Sequence, residues 1–99
     1  MSFGNTIRKL RIDLGYTQRQ LADLVQIDYT YLSKIENDKA DYIPKEEVIR
    51  ELASWLETES EPLIFLAGKI PVKYSELLSK LALKHGNDLP KLLEKLLTD

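Results

Sequence analysis

Apolar side chains recur at steps of three and four residues along most of this 99-residue chain, which is the spacing of the buried face of an α-helix. The pattern predicts an all-α protein, with five helices before about residue 71 and an amphipathic helical extension after it. The predicted buried positions are Phe3, Ile7, Leu10 and Leu14 in the first helix, Leu21, Ala22, Leu24 and Val25 in the second, Leu32 and Ile35 in the third, and Val48, Ile49, Leu52, Ala53 and Leu56 in the fourth.

Start signals for two short helices lie eleven residues apart. Thr17 is followed three residues later by Gln20, the spacing of a capping box, so a helix is predicted to begin at Gln18. Asp28 can cap a second helix that begins near Tyr29. The two helices are therefore predicted to be joined by a tight turn.

The second short helix carries a polar face. Because Leu32 and Ile35 mark its buried side, the opposite side is free of the core and presents hydrogen-bonding side chains. An exposed face of this kind, on a helix supported by another across a short turn, is the geometry that enters a DNA major groove. Its residues are Tyr29, Thr30, Ser33 and Lys34.

Prolines and glycines divide the rest of the chain. Pro44 is predicted to open the fourth helix, which is a long one, and Pro62 fits the first turn of a short fifth helix. Trp55 lies just off the buried stripe, where partial burial against the C-terminal segment is expected. After Pro71, residues 72–85 are predicted to form an amphipathic helix that Gly86 ends.

A last helix, capped by Asp88, continues the extension with a leucine stripe too apolar for solvent. Either the extension folds back over the domain or it pairs with a second copy. Self-association is favoured, because an isologous dimer would place two recognition helices about 34 Å apart. The residues expected to form this dimer interface are Tyr74, Leu77, Leu78, Leu81, Leu89, Leu92, Leu93 and Leu96.

Charge and residue usage narrow the function classes. The formal net charge is -2, but residues 1–39 carry +1 and the remainder carries -3, so modest non-specific DNA affinity is expected. With no cysteine, one histidine and no glycine-rich phosphate loop, we expect no metal site, no cofactor and no enzymatic activity. No long apolar run or signal peptide is present, which predicts a cytoplasmic protein without membrane association.

The residues around the two short helices carry a family resemblance. They are Leu10 and Arg11, Gly15, Thr17 and Gln18, Leu21 and Ala22, Ile27, and the run Leu32, Ser33, Lys34, Ile35, Glu36 and Asn37. In this combination the segment from about Ile7 to Leu56 resembles the helix-turn-helix of the Cro and phage-repressor family, also called the xenobiotic-response-element family. The resemblance implies a five-helix repressor-like domain over residues 1–71, with residues 72–99 as the extension.

The resemblance also implies roles for individual residues. Gln18 would reach a phosphate or a base edge, and Asn37 with Lys39 would approach the DNA backbone. Arg11 and Glu36 match an ion pair that ties the first helix to the recognition helix, Asp28 to Asn37. The positions that would face the bases are Asp28, Tyr29, Thr30, Ser33 and Lys34. Tyr31 is expected to pack in part while its hydroxyl approaches the DNA backbone, and Lys34 could donate to guanine or to phosphate alone.

Two residues depart from the family pattern. Gln26 stands where the family usually has Gly, and a left-handed backbone there would cost a non-glycine residue roughly 1–2 kcal/mol, so an altered turn is expected. Asp38 replaces the usual Gly after Asn37, and its charge is expected to lie near a phosphate and to lower affinity.

Two functions follow as hypotheses. The first is a dimeric, sequence-specific transcriptional repressor that binds a palindromic operator in double-stranded DNA. The alternative is a protein-interaction adaptor or antitoxin-like module, in which the leucine-rich extension binds a protein partner.

Overall fold

The computed structural model describes residues 1–98, and all the regular structure in that range is helical, which confirms the all-α prediction. The helices are α1 (Phe3–Asp13), α2 (Gln18–Val25), α3 (Tyr29–Glu36), α4 (Glu46–Trp55), α5 (Ser60–Leu66), α6 (Ser75–His85) and α7 (Leu89–Thr98). Contacts divide the chain into two units that meet between Lys69 and Ile70, two residues before the expected boundary. Asp99, the last residue of the predicted extension, lies outside the described residues.

Side-chain caps begin the first three helices. Ser2 Oγ accepts a hydrogen bond from the Asn5 amide at 3.1 Å. At α2 the predicted capping box is present, since Thr17 and Gln20 exchange bonds of 3.1 and 2.8 Å. Asp28 caps α3, so both short helices begin where the sequence predicts.

Five helices of the first unit end in the same way. The first or second residue after each helix has a left-handed backbone, and two backbone hydrogen bonds back to the helix close its last turn. At Gln26 the φ angle is 64° and the Ile27 amide donates to the Ala22 carbonyl at 3.0 Å, so the expected alteration of this turn does not occur. The residues in this conformation are Gly15, Gln26, Asp38, Glu57 and Gly68.

The core of the first unit forms where α2 packs against α3 and α4, α1 against α3, and α4 against α5. Two sequence predictions about this unit, one on burial and one on a helix start, are wrong. Leu14 is 40% exposed, because α1 ends at Asp13 and the chain leaves the buried face there. Pro44 is buried in the loop before α4, which begins at Glu46, where two glutamates in the first turn suit the helix dipole. The buried apolar residues are Ile7, Leu21, Ala22, Val25, Leu32, Ile35, Ile49, Leu52, Ala53, Leu56, Leu63 and Ile64.

The close approach of α1 to the end of α3 depends on Gly4. A Cβ atom at this position would collide with the Ile35 carbonyl oxygen and would lie 2.6 Å from Asp38 Oδ1. Because one colliding atom belongs to the backbone, a larger residue would force the helices apart. The sequence pattern did not single out this glycine.

A buried carboxylate joins the first three helices. Glu36, 1% exposed, accepts from Arg11 Nε at 2.7 Å and from the terminal Arg11 nitrogen at 2.9 Å, which confirms the expected ion pair. Arg11 also donates to the Tyr16 carbonyl at 2.8 Å, and Gln18 Nε2 donates to Glu36 at 3.1 Å. Glu36 therefore ties α3 to α1 and α2, and Arg11 also holds the α1–α2 turn.

The second unit begins with a 3-10 turn, Val72–Tyr74, so the predicted helix from residue 72 is α-helical only from Ser75. Another 3-10 turn, Gly86–Asp88, separates α6 from α7, and these two helices are in contact. No residue of either helix is buried. Leu92 is 40% exposed, Leu93 57% and Leu96 75%.

Replacing Glu36 with Gln should lower the free energy of unfolding by about 3 kcal/mol. The substitution removes the charge that compensates Arg11 and places an amide N–H against a guanidinium N–H. Urea unfolding followed by circular dichroism measures the effect. Asp13→Asn is the matched control, because it breaks the exposed Lys9–Asp13 pair and should change stability by less than about 0.5 kcal/mol. Equal effects of the two substitutions would contradict this account of the buried carboxylate.

Replacing Gln26 with Gly should raise the free energy of unfolding by about 1 kcal/mol, because glycine takes the left-handed conformation without steric strain. Gln26→Ala keeps the Cβ atom and serves as the control with little expected change. The same unfolding experiment compares them, and no gain from glycine over alanine would show that this turn is unstrained.

Candidate nucleic-acid interface

The exposed strip of α3 follows from the helical step of 100° per residue. Leu32, Ile35 and Glu36 are buried and fix the inward side. On the outward side Thr30, Lys34 and Asn37 are exposed and Ser33 is half-buried. The strip presents hydroxyl, ammonium and amide groups, which can donate to phosphates and to base edges.

The amino end of α3 is organised by its own cap. Asp28 Oδ1 accepts from the Thr30 amide at 3.0 Å and from the Thr30 hydroxyl at 2.9 Å. These hydrogen bonds hold the pKa of the Asp28 carboxyl below its usual value. The carboxylate therefore stays ionised and is engaged by its own helix, while the methyl group and an oxygen lone pair of Thr30 remain available.

Tyr31 lies at the edge of the strip and is tied to the loop after α3. Its ring stacks on Tyr42 with centroids 4.9 Å apart, and its hydroxyl donates to the Tyr42 carbonyl at 3.3 Å. Burial, together with the neighbouring Tyr42, raises the pKa of Tyr31 to about 12. The phenol is therefore protonated at neutral pH, with its donor used inside the protein. Sequence reasoning missed Tyr42, and no periodic signal marks it.

The carboxyl end of α3 is closed by Asn37, whose amide donates to the Ser33 carbonyl at 2.8 Å. The Lys39 amide donates to the Lys34 carbonyl at 2.8 Å, which leaves the Lys39 side chain exposed beyond the helix. Asp38 Oδ2 accepts from the Ser2 hydroxyl at 2.8 Å. The acidic group in this turn is thus engaged by the start of α1.

The amino end of α2 contacts both ends of α3. Gln18 is half-buried, and its amide is directed to Glu36. Arg19 is exposed, and its guanidinium carbon lies over the Tyr29 ring, 4.1 Å from the centroid. Tyr29 is 38% exposed. The DNA-binding residues predicted from the sequence did not include Arg19. Its place beside Gln18 in the first turn of α2 could have indicated it.

Two other kinds of site are absent from residues 1–98. No group of three or more His, Cys, Asp or Glu side chains in this range could hold a metal ion. Within the same residues, no helix combines the length and the apolar character needed to cross a bilayer.

Comparisons with known proteins also indicate a helix-turn-helix. Residues 7–62, more than half of the chain, match a family model described as helix-turn-helix. The fold is similar to that of a solved SinR protein/SinI protein complex, with a TM-score of 0.58 and 21% identity over 95% of this chain and 90% of that chain. A search of curated proteins found no match. The chain therefore belongs to the helix-turn-helix family of the Cro and phage-repressor type, which consists of DNA-binding regulators.

Proposed function

We propose that this protein is a sequence-specific transcriptional repressor that acts in the cytoplasm as a homodimer on a palindromic operator. The observation that carries the proposal is the exposed polar strip of α3, held by α2 across the turn at Gln26. A helix presented in this way fits the major groove, where its amino-terminal residues contact base edges.

In this mechanism Tyr29, Thr30, Ser33 and Lys34 read the bases. Thr30 offers a methyl group to thymine, and Lys34 donates to guanine or to phosphate. Asn37 and Lys39 approach the backbone at the carboxyl end of α3. By occupying the operator, the protein blocks transcription.

Three predicted contacts have smaller roles in this proposal. Asp28 acts mainly as the helix cap, and Tyr31 mainly braces the loop through Tyr42, because the polar groups of both are already hydrogen-bonded within the protein. One amide N–H of Gln18 donates to buried Glu36, which leaves the other N–H for a phosphate.

The charge distribution supports moderate affinity. Asp28 and Asp38 lie at the two ends of the strip, but each accepts hydrogen bonds within the protein. Because few lysines and arginines face the DNA, the number of phosphates neutralised is small. Operator binding therefore depends on base readout and on the use of two recognition helices.

The second unit supplies the proposed dimer interface. In α7, Leu89, Leu92, Leu93 and Leu96 lie on one side, and only Leu89 is half-buried rather than exposed. Leu77, Leu78 and Leu81 of α6 are also exposed, and Tyr74 precedes them. Burying such stripes against a second copy removes apolar surface from water, and a two-fold arrangement matches a palindromic site.

A protein partner is the second candidate for the same leucine stripes. SinR, a protein of similar fold, is solved in complex with SinI protein. If the stripes of this chain bound another protein, the chain would act as an adaptor or antitoxin-like module, with or without DNA binding.

Selection from a randomised duplex library at roughly physiological salt tests the DNA-binding proposal. We expect enrichment of a palindrome whose half-sites are separated by about one helical turn. Lys34→Ala should weaken binding to the enriched duplex by about 10- to 100-fold, the value of one good base contact. Lys9→Ala is the control, because Lys9 lies on α1, away from the proposed reading helix, where it pairs with Asp13.

Failure to enrich any sequence with folded protein would overturn the repressor proposal and favour the adaptor. Equal losses of affinity for Lys34→Ala and Lys9→Ala would contradict the assignment of α3 as the helix that reads the bases.

Sedimentation of the full chain tests the dimer. The wild type should sediment at twice the chain mass of 11.4 kDa, and Leu92→Glu with Leu96→Glu should yield the monomer. Lys91→Gln with Lys95→Gln changes the net charge by the same amount on the opposite side of α7, and this control should stay dimeric.

A wild type that sediments as a monomer would contradict homodimerisation. A dimer that survives both leucine substitutions would place its interface elsewhere.

A further inference from the structure

Arg19 has an exposed guanidinium in the first turn of α2. Within residues 1–98 it forms no hydrogen bond and no ion pair, and Asp23, one turn further along α2, is not paired with it. Its guanidinium carbon lies over the Tyr29 ring, 4.1 Å from the ring centroid. This contact is made with the face of the aromatic ring and uses no hydrogen bond, so the N–H donors of Arg19 remain free.

The two glutamines of this turn each form a hydrogen bond within the protein, and each keeps at least one free amide N–H. Gln18 donates to buried Glu36, and the Gln20 carbonyl oxygen accepts from the Thr17 amide in the capping box. When a helix-turn-helix docks, the helix before the recognition helix crosses the DNA backbone. Arg19 is the cationic side chain of this turn, and all of its N–H donors are unused at the place where a phosphate would lie.

We propose that Arg19, positioned by stacking on Tyr29, binds a DNA phosphate at the groove edge and takes the role expected of Gln18. This inference rests on the proposed DNA-binding function and adds a residue that was absent from the predicted site. The guanidinium fork matches phosphate oxygens better than an amide does, and the ring restricts its motion before DNA arrives.

The contact between Arg19 and Tyr29 joins the first turn of α2 to the first turn of α3. Tyr29 begins the recognition helix, so its ring can contact DNA and support Arg19 at the same time. A phosphate bound by Arg19 would fix the position of α3 in the groove. It would also add a positive charge to an interface whose other exposed cations are Lys34 and Lys39.

Salt dependence of binding to the enriched duplex tests this assignment. Arg19→Gln should lower affinity about tenfold and reduce the slope of log K against log salt by about 0.9 for each protomer bound. Lys9→Gln removes an equal charge from α1 and should keep the wild-type slope. Circular dichroism melting shows whether each variant is folded.

Variants of Tyr29 test the stacking. Tyr29→Phe keeps the ring and should keep the slope contribution of Arg19, even if loss of the hydroxyl weakens affinity. Tyr29→Leu should reduce this contribution. In the double variant with Arg19→Gln, the slope should fall no further than in Arg19→Gln alone.

The outcomes separate this inference from the function on which it rests. If the wild type enriches no duplex, the proposed function fails. If it enriches an operator and folded Arg19→Gln keeps the wild-type slope, only the Arg19 assignment is overturned. Loss of preference at a single base pair with an unchanged slope also overturns it, because that result would make Arg19 a base reader.

Discussion

The arrangement of the interface depends on one buried carboxylate. Glu36 is on the inward side of α3, yet the bonds that compensate its charge come from α1 and α2. Because an unpaired charge in the interior is strongly unfavourable, the three helices are held at the spacing that keeps Arg11 and Gln18 within reach. Gly4 allows the close approach on the α1 side. The exposed strip of α3 therefore has a fixed orientation relative to α2.

Hydrogen bonds within the protein also determine which polar groups remain available to a ligand. Asp28, Asn37 and Asp38 form hydrogen bonds that begin or end helices, and Tyr31 is bound to the loop. Groups already satisfied within the protein gain less from contact with DNA, because they must exchange one bond for another. Thr30 and Lys34 keep exposed polar atoms on the strip, and the donors of Arg19 are unused beside it. The position of a residue near the groove is therefore a poor guide to how much it contributes to DNA binding, because its polar groups can already be bonded within the protein.

Local chemistry explains what the sequence could predict. The caps at Thr17 and Asp28 and the buried stripes follow from residue types at short, fixed spacings along the chain. The Arg11–Glu36 pair was predicted from the family resemblance. Leu14 and Pro44 were misplaced because helix ends are set by turns whose exact residue the periodicity does not fix. The contact of Arg19 with Tyr29 joins residues ten positions apart across a turn. It could be found only once the left-handed conformation of Gln26 had brought α2 and α3 together.

The two units differ in how far each completes its own core. The first unit buries apolar residues from each of its five helices, whereas α6 and α7 contain no buried residue. Helices of ten or eleven residues are marginal in water unless an apolar face is covered. Residues Leu93 and Leu96 remain more than half exposed. Stability of the second unit is therefore expected to depend on association, and a regulator built this way would couple its concentration to the number of recognition helices that it presents to DNA.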